Sequence, residues 1–377
     1  MIHRSRPRTS ACACLAAVLL AASFGACVGA PTRESERVVR AVWDEYLESK
    51  RGRFAANAAT PSPLWSAAEQ KRWPLYDLAG LHLADHAVPE VLSVTPVNAA
   101  VDSAYQIVTR FWPTGAATRD SSATPVLTMT VHARREGRRW VLASALPYRT
   151  STWARETRGR ITYRVAPALR FDPAKADRAA AFVDSLARAF GVQAPPRIEY
   201  YVTESVDQAM EILGAVVPER FGPNGGFARP VNAQVFSGIP ALGEDYRHEL
   251  AHVLLMPIIR DGTSSLLASE GVPTWFGGTA GRDFQNSVRH LASLLRAQPT
   301  LDLHAIVYDR SVSSEVRNAA GAVLAQMVHE SGGVDAVREY LRTPGHAIPD
   351  ALERLLQRSW DAIAANWRRR VDEIAAT

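Results

Sequence analysis

His248-Glu249-Leu250-Ala251-His252 decides how this chain is read. An α-helix turns once every 3.6 residues, so two imidazoles four positions apart leave it in the same direction and can grip one ion. Glu249 stands just off that face, where a carboxylate can reach a water activated by the ion. The flanks favour a helix: Leu250, Val253, Leu254 and Leu255 make an apolar face and Pro257 stops the run, so the element is expected over about residues 244–256.

Working outward, Ser269-Glu270-Gly271-Val272-Pro273-Thr274-Trp275-Phe276 begins shortly after the turn Asp261-Gly262-Thr263-Ser264, and Glu270 lies eighteen residues beyond His252. A second helix there would return a carboxylate towards the first. Catalytic zinc usually takes three protein ligands and leaves one position for water, and two His with one Glu is a known set. Upstream, residues 161–165 and 197–202 read as strands, with an amphipathic helix over 177–190 between them. Residues 231–236 alternate apolar and polar shortly before the motif.

The paired segments resemble the gluzincins, metallopeptidases whose HExxH is followed some twenty residues later by a helical Glu, often as Glu-Gly-x-x-x-aromatic. The likeness spans residues 157–377 and is closest to the peptidase MA-like domains of bacterial envelope proteins. It implies an α+β, zincin-like fold in which a small mixed sheet precedes the HExxH helix and further helices follow. It implies one zinc ion held by His248, His252 and Glu270, a peptide or protein substrate, and Glu249 as general base and proton shuttle to the leaving amine. It also implies that residues 231–236 form the edge strand that binds substrate backbone.

Two departures stand out. The family commonly has a downstream Tyr or His that hydrogen-bonds the developing oxyanion; the helix expected over 316–329 carries Asn318 there, and Tyr308, His304 and Tyr246 are the other candidates. Pro273 lacks the amide that would bond back one turn, so the second helix is expected to bend or end there, with Glu270 at the bend. The rival reading, from another class, is a catalytically inactive zincin-fold binding protein at the cell envelope.

The rest of the chain is read more plainly. Its 377 residues leave room for two domains, and 47% hydrophobic with 21% charged residues is ordinary for a packed core. Three Lys stand against forty Arg, and without Arg4, Arg6 and Arg8 the net charge of +5 falls to +2, so nothing calls for a nucleic-acid partner. Arg368 to Arg370 read as a solvated helix end. His82, His86, His132, His290, His329 and His346 have no partner at ligand spacing and read as surface or satisfied core groups.

Residues 1–27 read as an export leader: Arg4, Arg6 and Arg8, then an apolar stretch over 11–24, then Phe24-Gly25-Ala26-Cys27, which resembles a bacterial lipobox with Phe in place of Leu. Membrane attachment through a lipidated Cys27 and a cell-envelope location follow as expectations. The competing cut after Val28-Gly29-Ala30 would leave Pro31 first. Cys12 and Cys14 would depart with the leader, leaving Cys27 as the only Cys.

Over 35–150, an amphipathic helix carrying Val38, Val39, Val42, Trp43, Tyr46 and Leu47 is followed by one or two more over 66–82. Strands are then expected at 91–97, 104–112, 125–134 and 139–145. This order resembles the nuclear transport factor two-like cone fold, an accessory α+β domain that implies little about function. Asp77, Asp85 and His86 could line a pocket there but read first as solvated or capping groups, and the Arg-rich stretch 149–160 reads as the linker.

Overall fold

The computed structural model describes residues 33–50, 62–71, 87–114, 124–218, 225–259, 264–309 and 311–377. The leader with Cys27, and also Asp77, His82, Asp85 and His86, lie outside the described residues. The architecture is mixed α+β, with two small sheets and a helical region after them.

Helix α1 (Arg33–Lys50) buries Val39, Trp43 and Tyr46, spaced four and three residues apart so that all lie on one face. With the short α2 (Ala67–Gln70) it precedes an antiparallel meander of β1 (Ala87–Pro96), β2 (Ala104–Pro113), β3 (Leu127–Glu136) and β4 (Arg139–Ala143). Alternate residues Leu127, Met129, Val131 and Ala133 of β3 point into one core with Trp43, Tyr46, Trp65 and Tyr105. The Trp43 indole donates to Thr109 Oγ1 at 2.8 Å, which satisfies the polar atom of that buried ring.

The stretch expected as a linker is instead structured: α3 (Leu146–Arg149) and β5 (Ala154–Arg158) occupy it. β5 is an edge strand, exposed along nearly its whole length and paired antiparallel with β6 (Ile161–Val165). Helix α4 (Pro173–Ala189) crosses over to β7 (Ile198–Val202), parallel to β6. It starts four residues before the expected point because Asp172 caps it, accepting from the Ala174 and Lys175 amides, with Pro173 at the first position. After α5 (Val206–Ile212), β8 (Ala215–Val216) leaves this region and pairs with β3 at Met129 and Thr128, beside the stretch of β3 that β4 covers. The first sheet is thus completed by a strand from later in the chain. Leu146, Trp153, Tyr201, Ile212 and Phe236 form a further apolar cluster.

The second sheet runs β5-β6-β7-β10-β9, with β9 (Gly226–Arg229) at its edge and β10 (Gln234–Ser237) inside, between β7 and β9. This corrects the expectation for 231–236. Pro230 opens a 3-10 turn (Pro230–Asn232) and Ala233 takes a left-handed φ of 50°, so the chain reverses and only the residues after it extend. All four residues of β10 are buried, as an interior strand requires.

Helices follow: α6 (Arg247–Leu255), α7 (Leu266–Gly277), α8 (Phe284–Ala297), α9 (Leu303–Tyr308), α10 (Ser314–Leu341, interrupted at Gly332 and Gly333), α11 (Ile348–Leu356) and α12 (Trp360–Ala376). Helix α7 does not end or break at Pro273 but continues to Gly277. The proline removes one backbone bond, yet α10 crosses α7 at backbone contact: a Cβ on Gly271 would run into the Gly321 backbone, and one on Gly321 into the Leu267 carbonyl. That packing outweighs the local preference against proline. Arg368 to Arg370 also differ from expectation, lying inside α12 rather than at its end. Arg368 donates to the Leu295 carbonyl at 2.8 Å and the Leu301 carbonyl at 3.3 Å, where it serves the C-terminal end of α8.

Candidate metal centre

Helix α6 starts at Arg247, three residues later than its sequence suggests, because Tyr246 keeps non-helical dihedrals and the turn before it is held from the sheet. Tyr200 Oη on β7 accepts the Tyr246 amide at 3.0 Å and donates to the Gly243 carbonyl at 2.8 Å. From that start, His248 and His252 emerge one turn apart on the face towards α7, and Glu270 meets them from the second turn of α7.

Three atoms converge. His248 Nε2 and His252 Nε2 are 3.1 Å apart, and Glu270 Oε2 is 3.3 Å from the first and 3.5 Å from the second. Tetrahedral coordination with bonds of about 2.05 Å separates neighbouring ligand atoms by about 3.3 Å, so these three edges bracket the value zinc asks for. Among the described residues this is the one group of three His, Cys, Asp or Glu side chains close enough to share an ion. His248 is buried, while His252 and Glu270 are half-buried, so the group is open on one side.

The ring of His248 is held by the far end of α7. Its Nδ1 donates to the Gly278 carbonyl at 2.7 Å, which leaves the Nε2 lone pair for a cation, the arrangement that orients a metal-bound imidazole. Gly278 has φ +74° and a Cβ there would strike the Arg282 carbonyl, while one on Gly277 would strike the His248 amide. Glycine is therefore required where the two helices touch. Helix α7 supplies a ligand from its middle and an orienting carbonyl from its end.

Electrostatics tie the group together. Burial alone would raise the Glu270 carboxyl, but hydrogen bonds from His248 and His252, with their charge, hold it well below the usual carboxylate range. Burial alone would lower His248; the Glu270 bond, the charges of Glu249 and Glu270 and the Gly278 carbonyl together raise it. Glu249 is buried in the first turn of α6, one residue from His248.

Of the four candidate oxyanion donors, Tyr246 is the one brought to the centre. Its ring lies 6.1 Å from that of His248. Burial first, then the charges of Glu249 and Glu270 and a hydrogen bond to Glu249, push its phenol far up. Asn318 Nδ2 instead donates to Thr279 Oγ1 at 3.4 Å, bracing the residue after Gly278. His304 and Tyr308 pack on each other, 4.7 Å apart on α9, with Tyr308 exposed.

The remaining described histidines stand apart from the centre. His290 pairs with Glu315 at 3.4 Å, His329 packs 5.1 Å from Trp275, and His132 stacks on Tyr148. Sequence reasoning missed Tyr200 and the Gly278 carbonyl. The Gly277-Gly278 pair signals a helix end, but not what its carbonyl meets. Neither the protein-family models nor the curated proteins yield a match to this chain.

Proposed function

We propose that this protein is a zinc-dependent peptidase of gluzincin type, with a zincin-like catalytic region and a cone-type accessory region. The observation that carries the reading is the 3.1, 3.3 and 3.5 Å triangle of His248, His252 and Glu270 with a buried Glu249 beside it. His248, His252 and Glu270 would hold the ion. Zinc, when bound, supplies a Lewis acid for the scissile carbonyl and lowers the pKa of water towards about 7.

The chain's own groups do the rest. Glu249 takes one proton from the attacking water as the new carbon–oxygen bond forms, and returns it to the amide nitrogen as the carbon–nitrogen bond breaks. Among the described strands β9 has one partner, so its outer edge can take up an extended substrate by main-chain pairing. Gly226 of that strand lies directly against the Tyr246 ring, next to His248 on α6, which puts the open edge alongside the centre. Export and lipidation at Cys27 complete the proposal, with Cys27→Ser expected to release the chain from membranes.

The test is hydrolysis of a broad peptide library by the full chain. Activity that a chelator abolishes and zinc restores supports the peptidase; a zinc-loaded chain that cleaves nothing points to the inactive binding protein.

A further inference from the structure

The alternation along β3 that sends Val131 and Ala133 into the core shared with α1 turns His132 and Arg134 to the opposite face of the sheet. A cavity of about 440 Å³ opens on that face, with α2 and α3 in its walls. Its size lies within the range of small-molecule sites, about 300–1,000 Å³. None of its lining residues belongs to the metal centre. Glu69 lines it from α2, Arg134 from β3 and Tyr148 from α3, while Val97, Ala143 and Pro147 add an apolar wall. His132 fixes the Tyr148 ring by stacking on it at 3.9 Å, 5° from parallel.

The two charged groups are held separately. Glu69 is buried, and its Oε1 accepts the Ser144 amide at 3.3 Å and the Ser144 hydroxyl at 2.7 Å. Its Oε2 accepts no bond from the described residues. Arg134 donates through Nη2 to Glu136 at 2.6 Å, and the other oxygen of that carboxylate accepts the Ala67 amide at 3.3 Å, which ties the guanidinium to the start of α2. The Arg134 Nε is buried without a hydrogen-bond partner, and a buried donor in that state is uncommon in a folded protein. Arg134 forms its ion pair with Glu136 and not with Glu69, although Glu69 borders the same cavity. An anion entering here would meet the Glu69 carboxylate, and a cation the Arg134 guanidinium. A molecule carrying both charges satisfies both. We propose that this cavity binds a small zwitterion, an α-amino acid or a dipeptide, with its ammonium on Glu69 Oε2, its carboxylate on Arg134 and an apolar side chain against Val97, Ala143 and Pro147. The proposal stands whether or not the chain cleaves peptides.

Isothermal titration calorimetry on the full chain tests it, with leucine and the dipeptide Ala-Leu as probes and a chelator present so that the metal centre neither competes nor cleaves. At least one probe should bind saturably at one site per chain. For whichever binds, the C-terminal amide lacks the carboxylate and the N-acetyl form lacks the ammonium. Each should bind at least about ten-fold more weakly than the parent, the effect of losing one hydrogen bond to a charged group. Glu69→Gln keeps an oxygen for Ser144 and removes only the charge, and Arg134→Gln removes the guanidinium. Each variant, shown to be folded by thermal melting, should lose at least about ten-fold in affinity for the same reason. The proposal is overturned if neither probe binds, if the amide or the N-acetyl form binds as tightly as the parent, or if either folded variant binds as wild type does. The two modified probes keep the test decisive on the wild-type chain should a variant fail to fold.

Discussion

Lowering the pH from 7 to 5 should destabilise the fold by about 2 kcal/mol through His132 alone. The ring is buried on β3, stacked 3.9 Å from Tyr148 and 5° from parallel, and its Nδ1 has no hydrogen-bond partner. Burial first, and the charge of Arg149 second, lower its pKa from 6.5 to about 4. The fold therefore keeps His132 neutral while the unfolded chain takes up a proton through pH 6.5. Stability is complete above that value and declines as pH falls towards the folded pKa. At pH 5 the unfolded imidazole is almost fully protonated and the folded one about a tenth so, which gives about 2 kcal/mol, rising to about 3 kcal/mol near pH 4. Urea unfolding followed by tryptophan fluorescence at pH 7 and 5, in wild type and His132→Phe, isolates this contribution from other titrating groups. The variant should lose about 2 kcal/mol less than wild type over the interval. Equal losses in the two proteins would refute the burial account.

Gly321→Ala should lower stability by about 1 to 3 kcal/mol, because the added methyl meets the Leu267 carbonyl where α10 crosses α7. Thermal melting and zinc affinity should fall together, and a melting temperature at or above wild type would contradict the crossing. Glu270→Ala should weaken zinc binding by more than about a hundred-fold, beyond the usual effect of losing an outer-shell partner, as read by chelator competition. Unchanged affinity would remove Glu270 from the ligand set. Asn318→Ala gives up only the 3.4 Å bond to Thr279, so kcat should change by less than about ten-fold; a loss as deep as that from removing Glu249 would return Asn318 to the reacting atoms.

What could be read in advance follows from the range of the interactions. The convergence of His248, His252 and Glu270 was legible because i, i+4 spacing and a returning Glu-Gly segment are local signals, and α6 and α7 form where those signals lie. The meander was legible for the same reason, since alternation along β2 and β3 marks each strand by itself. Long-range features were not. That 231–236 would yield an interior strand depended on where β9 paired, and the passage of α7 through Pro273 depended on a glycine contact with a helix some fifty residues away. The start of α6 hid for a similar reason: its cap is a phenol from β7, where a sequence shows only side chains close by. Tyr246 was one of four candidate donors, and its neighbours, not its spacing, set it apart.

Glu249→Gln is the most direct test of the central claim, that the carboxylate beside the His248–His252–Glu270 triangle drives hydrolysis without holding the ion. The account predicts one zinc per chain and an unchanged melting temperature, with turnover of a chelator-sensitive peptide substrate reduced by about a hundred- to ten-thousand-fold. A variant that keeps its zinc and cleaves the same substrate at the wild-type rate would contradict it.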